Sequence, residues 1–236
     1  NFQKAISKSY LKSEKFIFSP YTLSLLSYFE SPLSDTIMTI DFGHEKTSLG
    51  IFRNDSFVFT RSIPIGSWHI TNDISKALNL NFEIAENLKK NHSSCKVLSS
   101  EMIHEYVESE NLGFKSYKKI SNNILNKIVN SRVEEIVDFV NKELVFFKSH
   151  KQIFNKILIT GEGSKINGFY ELVQEKLNIK ALTVEKFSSK LKINIQDEFD
   201  VCLSVINFIQ NPYNKEIPSY LKKKKGFFDK LYSLFN

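Results

Sequence analysis

Between residues 118 and 148 the apolar side chains Ile120, Ile124, Ile128, Val133, Ile136, Val140, Leu144 and Phe147 recur at steps of three, four and five. That spacing predicts one long amphipathic helix. Upstream, TIMTIDFGHEKTSLGIFRNDSF reads as an apolar strand, a charged turn and a second strand. FVFTRSIPIG adds a third strand, which Pro64 ends because proline cannot donate to a ladder. From His69 to His92 the period is helical: Ile70, Ile74, Ala77 and Leu78 share one face, and Phe82 begins a second helix with Ile84, Ala85 and Leu88 inward. NKILITG predicts a buried strand, and GFYELVQEKLN a helix capped after Gly168. Residues 1–35 give a helix in FQKAISKSYL, a strand in EKFIFSP, and a helix in TLSLLSYF that stops at Ser31–Pro32. Strands alternating with helices after an antiparallel meander predict an α/β fold with a mixed sheet and flanking helices.

Composition narrows the class. A chain of 236 residues, 42% hydrophobic, buries one substantial core or two small ones. No apolar run approaches the roughly 20 residues of a membrane-spanning helix. The chain opens at Asn1 without Met and without a signal-peptide pattern, so a piece of a longer cytoplasmic protein is expected. Cys95 and Cys202 form no zinc-type spacing; structural thiols in a reduced compartment are expected, and no metal site. Of the net charge of +6, six Lys against Glu216 and Asp229 place +4 after Pro212. Only Arg53, Arg61 and Arg132 could make forked contacts to phosphate or bases, so nucleic acid is not an expected partner.

Four places carry candidate chemistry. Asp41 and Gly43 sit in the turn between the first two strands, which is open to two readings: a phosphate loop or a hairpin corner. Thr160, Gly161 and Gly163 give a strand–glycine turn–helix order that presents backbone N–H groups to an anion. Glu86 and Lys89 lie one helical turn apart, either as ligand contacts or as a surface ion pair. In KKKKGFFDKLYSLFN a helical wheel gathers Phe227, Phe228, Leu231, Tyr232, Leu234 and Phe235 on one side, opposite Asp229, Lys230, Ser233 and Asn236. Such a segment is a docking helix or an interfacial anchor. Lys222, Lys223, Lys224 and Lys225 favour the anchor, since basic residues near an anionic leaflet contribute roughly 1 kcal/mol each.

The order of these elements resembles the second half of the actin-like ATPases. More narrowly, SIPIGSWHITNDISKALN followed by FEIAENLKKNHSS is similar to the bacterial cell-division FtsA family, with Ile63, Pro64, Gly66, Thr71, Asp73, Ile74, Ala85, Glu86, Leu88, Lys89 and His92 at matching places. The resemblance implies an actin-like, ribonuclease H-like fold. In it, residues 1–35 trail from an upstream domain, 36–66 and 153–212 form the nucleotide-cleft subdomain, 67–152 an inserted subdomain, and 213–236 a linker and membrane-targeting helix. It implies nucleotide contacts from Asp41, Gly43, Thr47, Glu86, Lys89, Gly161 and Gly163. His44 and Glu45 stand where the family carries two glycines, and Glu162 where it prefers another, so ATP with Mg²⁺ is expected to bind weakly. At most a slow ATPase follows, with no catalytic residue assigned. The family further implies a scaffold at the division site, on the cytoplasmic face of the inner membrane, that self-associates into filaments and grips the C-terminal peptide of FtsZ. Arg132 is the candidate contact for that peptide, or else pairs with Glu135 on its own helix. The alternatives are the actin-like pilus-assembly adaptor PilM and a sugar or acid kinase of the same superfamily.

Overall fold

The computed structural model describes residues 2–12, 16–30, 36–53, 56–96, 106–108, 119–149, 156–183 and 199–210. Five strands form one sheet in the order β3-β2-β1-β6-β7: β1 (Thr36–Phe42), β2 (Thr47–Arg53), β3 (Ser56–Ile63), β6 (Lys156–Thr160) and β7 (Ala181–Thr183). The first three are antiparallel, while β6 lies parallel to both β1 and β7, which gives the mixed sheet that the element order predicts. A separate two-stranded ribbon pairs β4 (Tyr106–Glu108) with β5 (Lys119–Ser121).

The two faces of the sheet differ in chemistry because successive side chains alternate. Met38, Ile40, Phe42, Leu49, Ile51, Ile157 and Ile159 enter one continuous apolar core with the helices α3 (Ser67–Leu78), α4 (Phe82–His92), α5 (Asn122–Ser149) and α6 (Phe169–Leu177). The opposite face meets α2 (Ser19–Glu30) and α7 (Asp200–Gln210) through buried hydroxyls as well as Leu23 and Leu203. Ser24 Oγ donates to Thr39 Oγ1 at 3.0 Å, Ser204 Oγ to Thr22 Oγ1 at 2.8 Å, and Thr160 Oγ1 to Asp200 Oδ2. The remaining helix, α1, spans Phe2–Lys8.

Several expectations are corrected. Of the strand expected in EKFIFSP, the described residues Phe16–Phe18 are irregular, and α2 begins at Ser19 rather than Thr22. Pro20 is accommodated in the first helical turn, where its missing N–H costs nothing. Ile120 belongs to β5, where it pairs with Val107, and α5 starts only at Asn122. Val133, Ile136, Val140 and Leu144 are buried as expected, Ile128 packs at the edge of the core, and Leu125, Val129 and Val137 join the inward stripe, whereas Ile124 is 52% exposed. Ala77 is also exposed on α3, since Leu80, beyond the Asn79 cap, closes that end of the core instead. The Phe147 side chain and the whole C-terminal segment from residue 211, including the candidate membrane residues, lie outside the described residues.

The stretch after α4 is strapped down. Cys95 N–H donates to Asn167 O at 2.6 Å, Ser94 bridges to Asn167, and Ser94 N–H donates to Asn126 Oδ1 on α5 at 2.8 Å. Burial pushes the Cys95 thiol up to about 12, with the Glu171 charge adding to it, so this cysteine is an inert packing residue.

Candidate functional site

β1 and β6 run parallel and end side by side, with Asp41 in register with Thr160. The turns that leave them therefore meet, at the carboxyl ends of the strands where α/β sheets place ligands. After β1 the turn closes with Gly43 N–H donating to Lys46 O at 3.1 Å. His44 and Glu45 are exposed, and neither has a positive φ, so the turn accepts them without the backbone strain that would require glycine.

The N-terminus of α3 clamps this turn from beside it. Ser67 N–H donates to Gly43 O at 2.9 Å and Trp68 N–H to His44 O at 2.8 Å. Gly66 makes this approach feasible: a Cβ there would lie 2.5 Å from His44 O. Two of the free N–H groups of the helix are thus used on protein carbonyls. Thr47 is buried, and its hydroxyl donates to Ile65 O at 2.7 Å, so it anchors the segment entering α3 and does not face the cleft.

After β6, Gly161 adopts φ +93, a conformation that disfavours any side chain, and a Cβ there would come within 2.5 Å of Phe42 O. A single 3₁₀ turn, Glu162–Lys165, follows. The helix α6 then begins at Phe169 with Gly168 as its cap, where the sequence places it.

A cleft of about 170 Å³ opens between these turns and α4, lined by His44, Ser67, Glu86, Lys89, Lys90, Glu162, Gly163, Lys165 and Ile166. Glu86 and Lys89 are not a surface pair. Lys89 is only 4% exposed, and its Nζ donates to Glu86 Oε2 at 2.8 Å, Thr71 Oγ1 at 2.9 Å and Ser67 O at 3.3 Å. Thr71 Oγ1 donates to the same Glu86 oxygen. Burial pushes the Glu86 carboxyl up, but the hydrogen bonds of Lys89 and Thr71 and the charges of Lys89 and Lys90 outweigh it, and its pKa is lowered. Burial lowers the Lys89 pKa, with Glu86 opposing. The pair is a rigid, charge-balanced wall of the cleft.

Of the seven nucleotide candidates, Glu86, Lys89 and Gly163 thus share the cleft. Asp41 and Gly161 lie outside its lining but close together, since a Cβ added at Gly161 would come within 2.7 Å of Asp41 Oδ1, and Gly43 shapes the turn. Asp41 accepts no hydrogen bond on its carboxylate among the described residues; burial raises its pKa, and the Lys46 charge pulls it back in part. A partly buried carboxylate beside a glycine turn suits a hydrated cation accompanying phosphates. The residues present therefore fit ATP with Mg²⁺, although 170 Å³ is less than the roughly 300 Å³ or more of a complete ligand pocket. Lys90 and Lys165 do not stand out in the sequence, yet Lys90 follows Glu86 by four residues, a spacing that brings it to the same carboxylate.

Arg132 lies elsewhere, on a groove of about 580 Å³ between α3 and α5 that Asp73, Lys76, Ala77, Ile128, Ser131 and Glu135 also line. Its guanidinium forks onto Asp73, 2.6 Å from Nε to Oδ2 and 3.0 Å from Nη2 to Oδ1, and also donates to Glu135. The pairing with Glu135 is present, and Asp73 on α3 is a second partner that helical spacing alone does not indicate. Hydrogen bonding to Asp73, with both carboxylate charges, raises the Arg132 pKa further.

Comparisons with known proteins carry the assignment further. The family model "Cell division protein FtsA" matches residues 38–199. The cell division protein FtsA of Neisseria meningitidis serogroup B is 28% identical over 138 residues, 58% of this chain and 33% of that protein. That of Borreliella burgdorferi is 27% identical over 213 residues, 84% of this chain and 50% of the relative. The chain thus spans about a third to a half of the length of these curated relatives. Among solved structures, MreB5 of Spiroplasma citri bound to AMPPNP superposes with a TM-score of 0.67 at 17% identity, covering 92% of this chain and 65% of that one, a likeness in fold. With an actin-like fold and a family match that runs from β1 to the residue before α7, the chain belongs to the family of the cell division protein FtsA.

Proposed function

We propose that this chain supplies one wall of a weak ATP–Mg²⁺ site in a division-site scaffold that links FtsZ polymers to the cytoplasmic face of the inner membrane and self-associates into filaments. The observation that carries the reading is the convergence of Gly163, the Glu86–Lys89 pair and the His44 turn on one cleft, in a chain matching the FtsA model over most of its length. MreB5, a likeness in fold, was crystallised with AMPPNP and with ADP. In such a site Lys89, kept in place by Glu86, supplies positive charge to the cleft wall, and Asp41 takes the cation. The exposed side chains of His44 and Glu45 leave fewer open approaches to the backbone than glycines would, which is the reason for weak binding.

The groove between α3 and α5 is the place we assign to the FtsZ peptide, with Lys76 and Arg132 as its cations. No helix among the described residues is long and apolar enough to cross a membrane. Attachment is assigned to the basic and aromatic segment from Lys222 to Phe235. Calorimetric titration of the full-length protein with ATP and Mg²⁺ tests the central reading: weak binding with slow or no turnover is expected. Tight binding with rapid turnover would overturn the weak site, and no binding would overturn the nucleotide reading.

A further inference from the structure

The 3₁₀ turn on the cleft wall places an acid, Glu162, directly between two glycines, where an anionic ligand would have to pass. Its carboxylate does not stand free. Lys90 reaches across from α4, 72 residues away in sequence, and donates to Glu162 Oε1 at 2.9 Å, while also lying 3.5 Å from Glu86 Oε1. One ammonium group thus straddles the two carboxylates of the rim. We propose that Lys90 is a positioning residue for the nucleotide: its ion pair with Glu162 holds that carboxylate against α4 and neutralises it, keeping the cleft open to phosphate. The inference rests on the nucleotide reading above.

Three observations support it. Within the cleft, Lys89 is already committed to Glu86, Thr71 and Ser67, so Lys90 is the cation that reaches Glu162 by a hydrogen bond. Glu162 and Lys90 are each about half exposed, so the pair can re-form as ligand enters and leaves, at little cost in stability. Their pKa values move in the directions a real pair requires: the hydrogen bond raises Lys90 and lowers Glu162.

The test is a cycle on the full-length protein, with ATP and Mg²⁺ titrated into the wild type, Lys90→Ala, Glu162→Gln and the double variant. Lys90→Ala is expected to weaken ATP binding about threefold to fivefold at low salt, as the freed carboxylate repels phosphate. The loss should shrink at high salt and be absent for uncharged adenosine. In the Glu162→Gln background the same substitution should cost less than twofold, and Lys90→Arg should behave as wild type. An equal loss in both backgrounds would show that Lys90 touches the nucleotide itself and overturn the inference. So would a Lys90→Ala variant with unchanged affinity. ATP binding absent from every protein, wild type included, would overturn the nucleotide reading and the inference with it.

Discussion

Replacing Asp41 by Asn is expected to stabilise the protein without nucleotide and to abolish its response to ATP with Mg²⁺. Asp41 is the penultimate residue of β1, paired with Ser48 on one side and Thr160 on the other, and its carboxylate accepts no hydrogen bond among the described residues. A desolvated polar group without a partner costs about 1–3 kcal/mol. Because this one is only partly buried and has the Lys46 charge nearby, the lower end applies. About 1 kcal/mol corresponds to a rise in Tm of roughly 2–4 °C for a unit of this size. Burial raises the folded-state pKa above its ordinary 3.8, so the native state holds the proton to higher pH than the unfolded chain does. The contribution of Asp41 to stability therefore falls as pH rises through the window above 3.8, and is restored below it. The gain from Asn should be complete at pH 7 and vanish in acid, where the wild type is protonated too. Thermal melts of the full-length protein at both pH values, with and without ATP and Mg²⁺, read out each part. A fall in Tm at pH 7 would mean that the carboxylate is favourably held. An undiminished ATP-induced shift would remove Asp41 from the site.

Other predictions concern separate parts of the molecule. Glu86 and Glu162 have lowered pKa values, so the stability they contribute is present above 4.5 and lost as pH falls through their folded values; the Lys90→Ala/Glu162→Gln double variant should show a shallower acid limb in pH-dependent melts. Gly161→Ala should destabilise by about 2 kcal/mol or more in urea unfolding, from the positive φ and the collision with Phe42 O. A double-mutant cycle of Arg132→Gln with Asp73→Asn should give a coupling of about 1 kcal/mol, since the fork is three-quarters buried and the pair bidentate. Lys76→Glu, which breaks no ion pair among the described residues, is the cleaner test of peptide binding in that groove and should lower affinity for the FtsZ peptide about tenfold by fluorescence anisotropy. Phe228→Glu or truncation after Lys225 should abolish flotation with anionic vesicles; a truncated protein that floats like the intact one would place attachment elsewhere.

Local patterns announced what local physics controls. The meander was legible because apolar runs alternate with turn residues, and Pro64 closes β3 at Ile63 as expected. α4 begins where the period begins, with Asn81 Oδ1 accepting from Ile84 N–H. The start of α5 was not legible, because Ile120 is drawn into β5 by its pairing with Val107. With that residue removed from the helix, the inward stripe moves from Ile124 to Leu125. The burial of Lys89 has the same origin: a lysine on a helix reads as solvent-facing until Thr71 and the Ser67 carbonyl arrive from α3. Gly161 and Gly163 stand out by motif, but the bridge from Lys90 to Glu162 depends on how α4 and the 3₁₀ turn are brought together, which no window of sequence contains.

The hydroxyl-lined face beneath α2 and α7 sets those helices apart from the rest. Apolar side chains tolerate small slips, since dispersion has no direction, but a hydroxyl pair such as Ser24–Thr39 or Ser204–Thr22 exists at one offset only. A shift of either helix along the sheet would strand several buried donors at once, so this layer works as a toothed seam, seated in one notch or released altogether. Gly50 deepens the notch, because a Cβ there would meet Ser24 Oγ at 2.6 Å and Pro20 O at 2.8 Å. The α2–α7 side is therefore aligned on the sheet by bond geometry, where the α3–α6 side is aligned chiefly by dispersion.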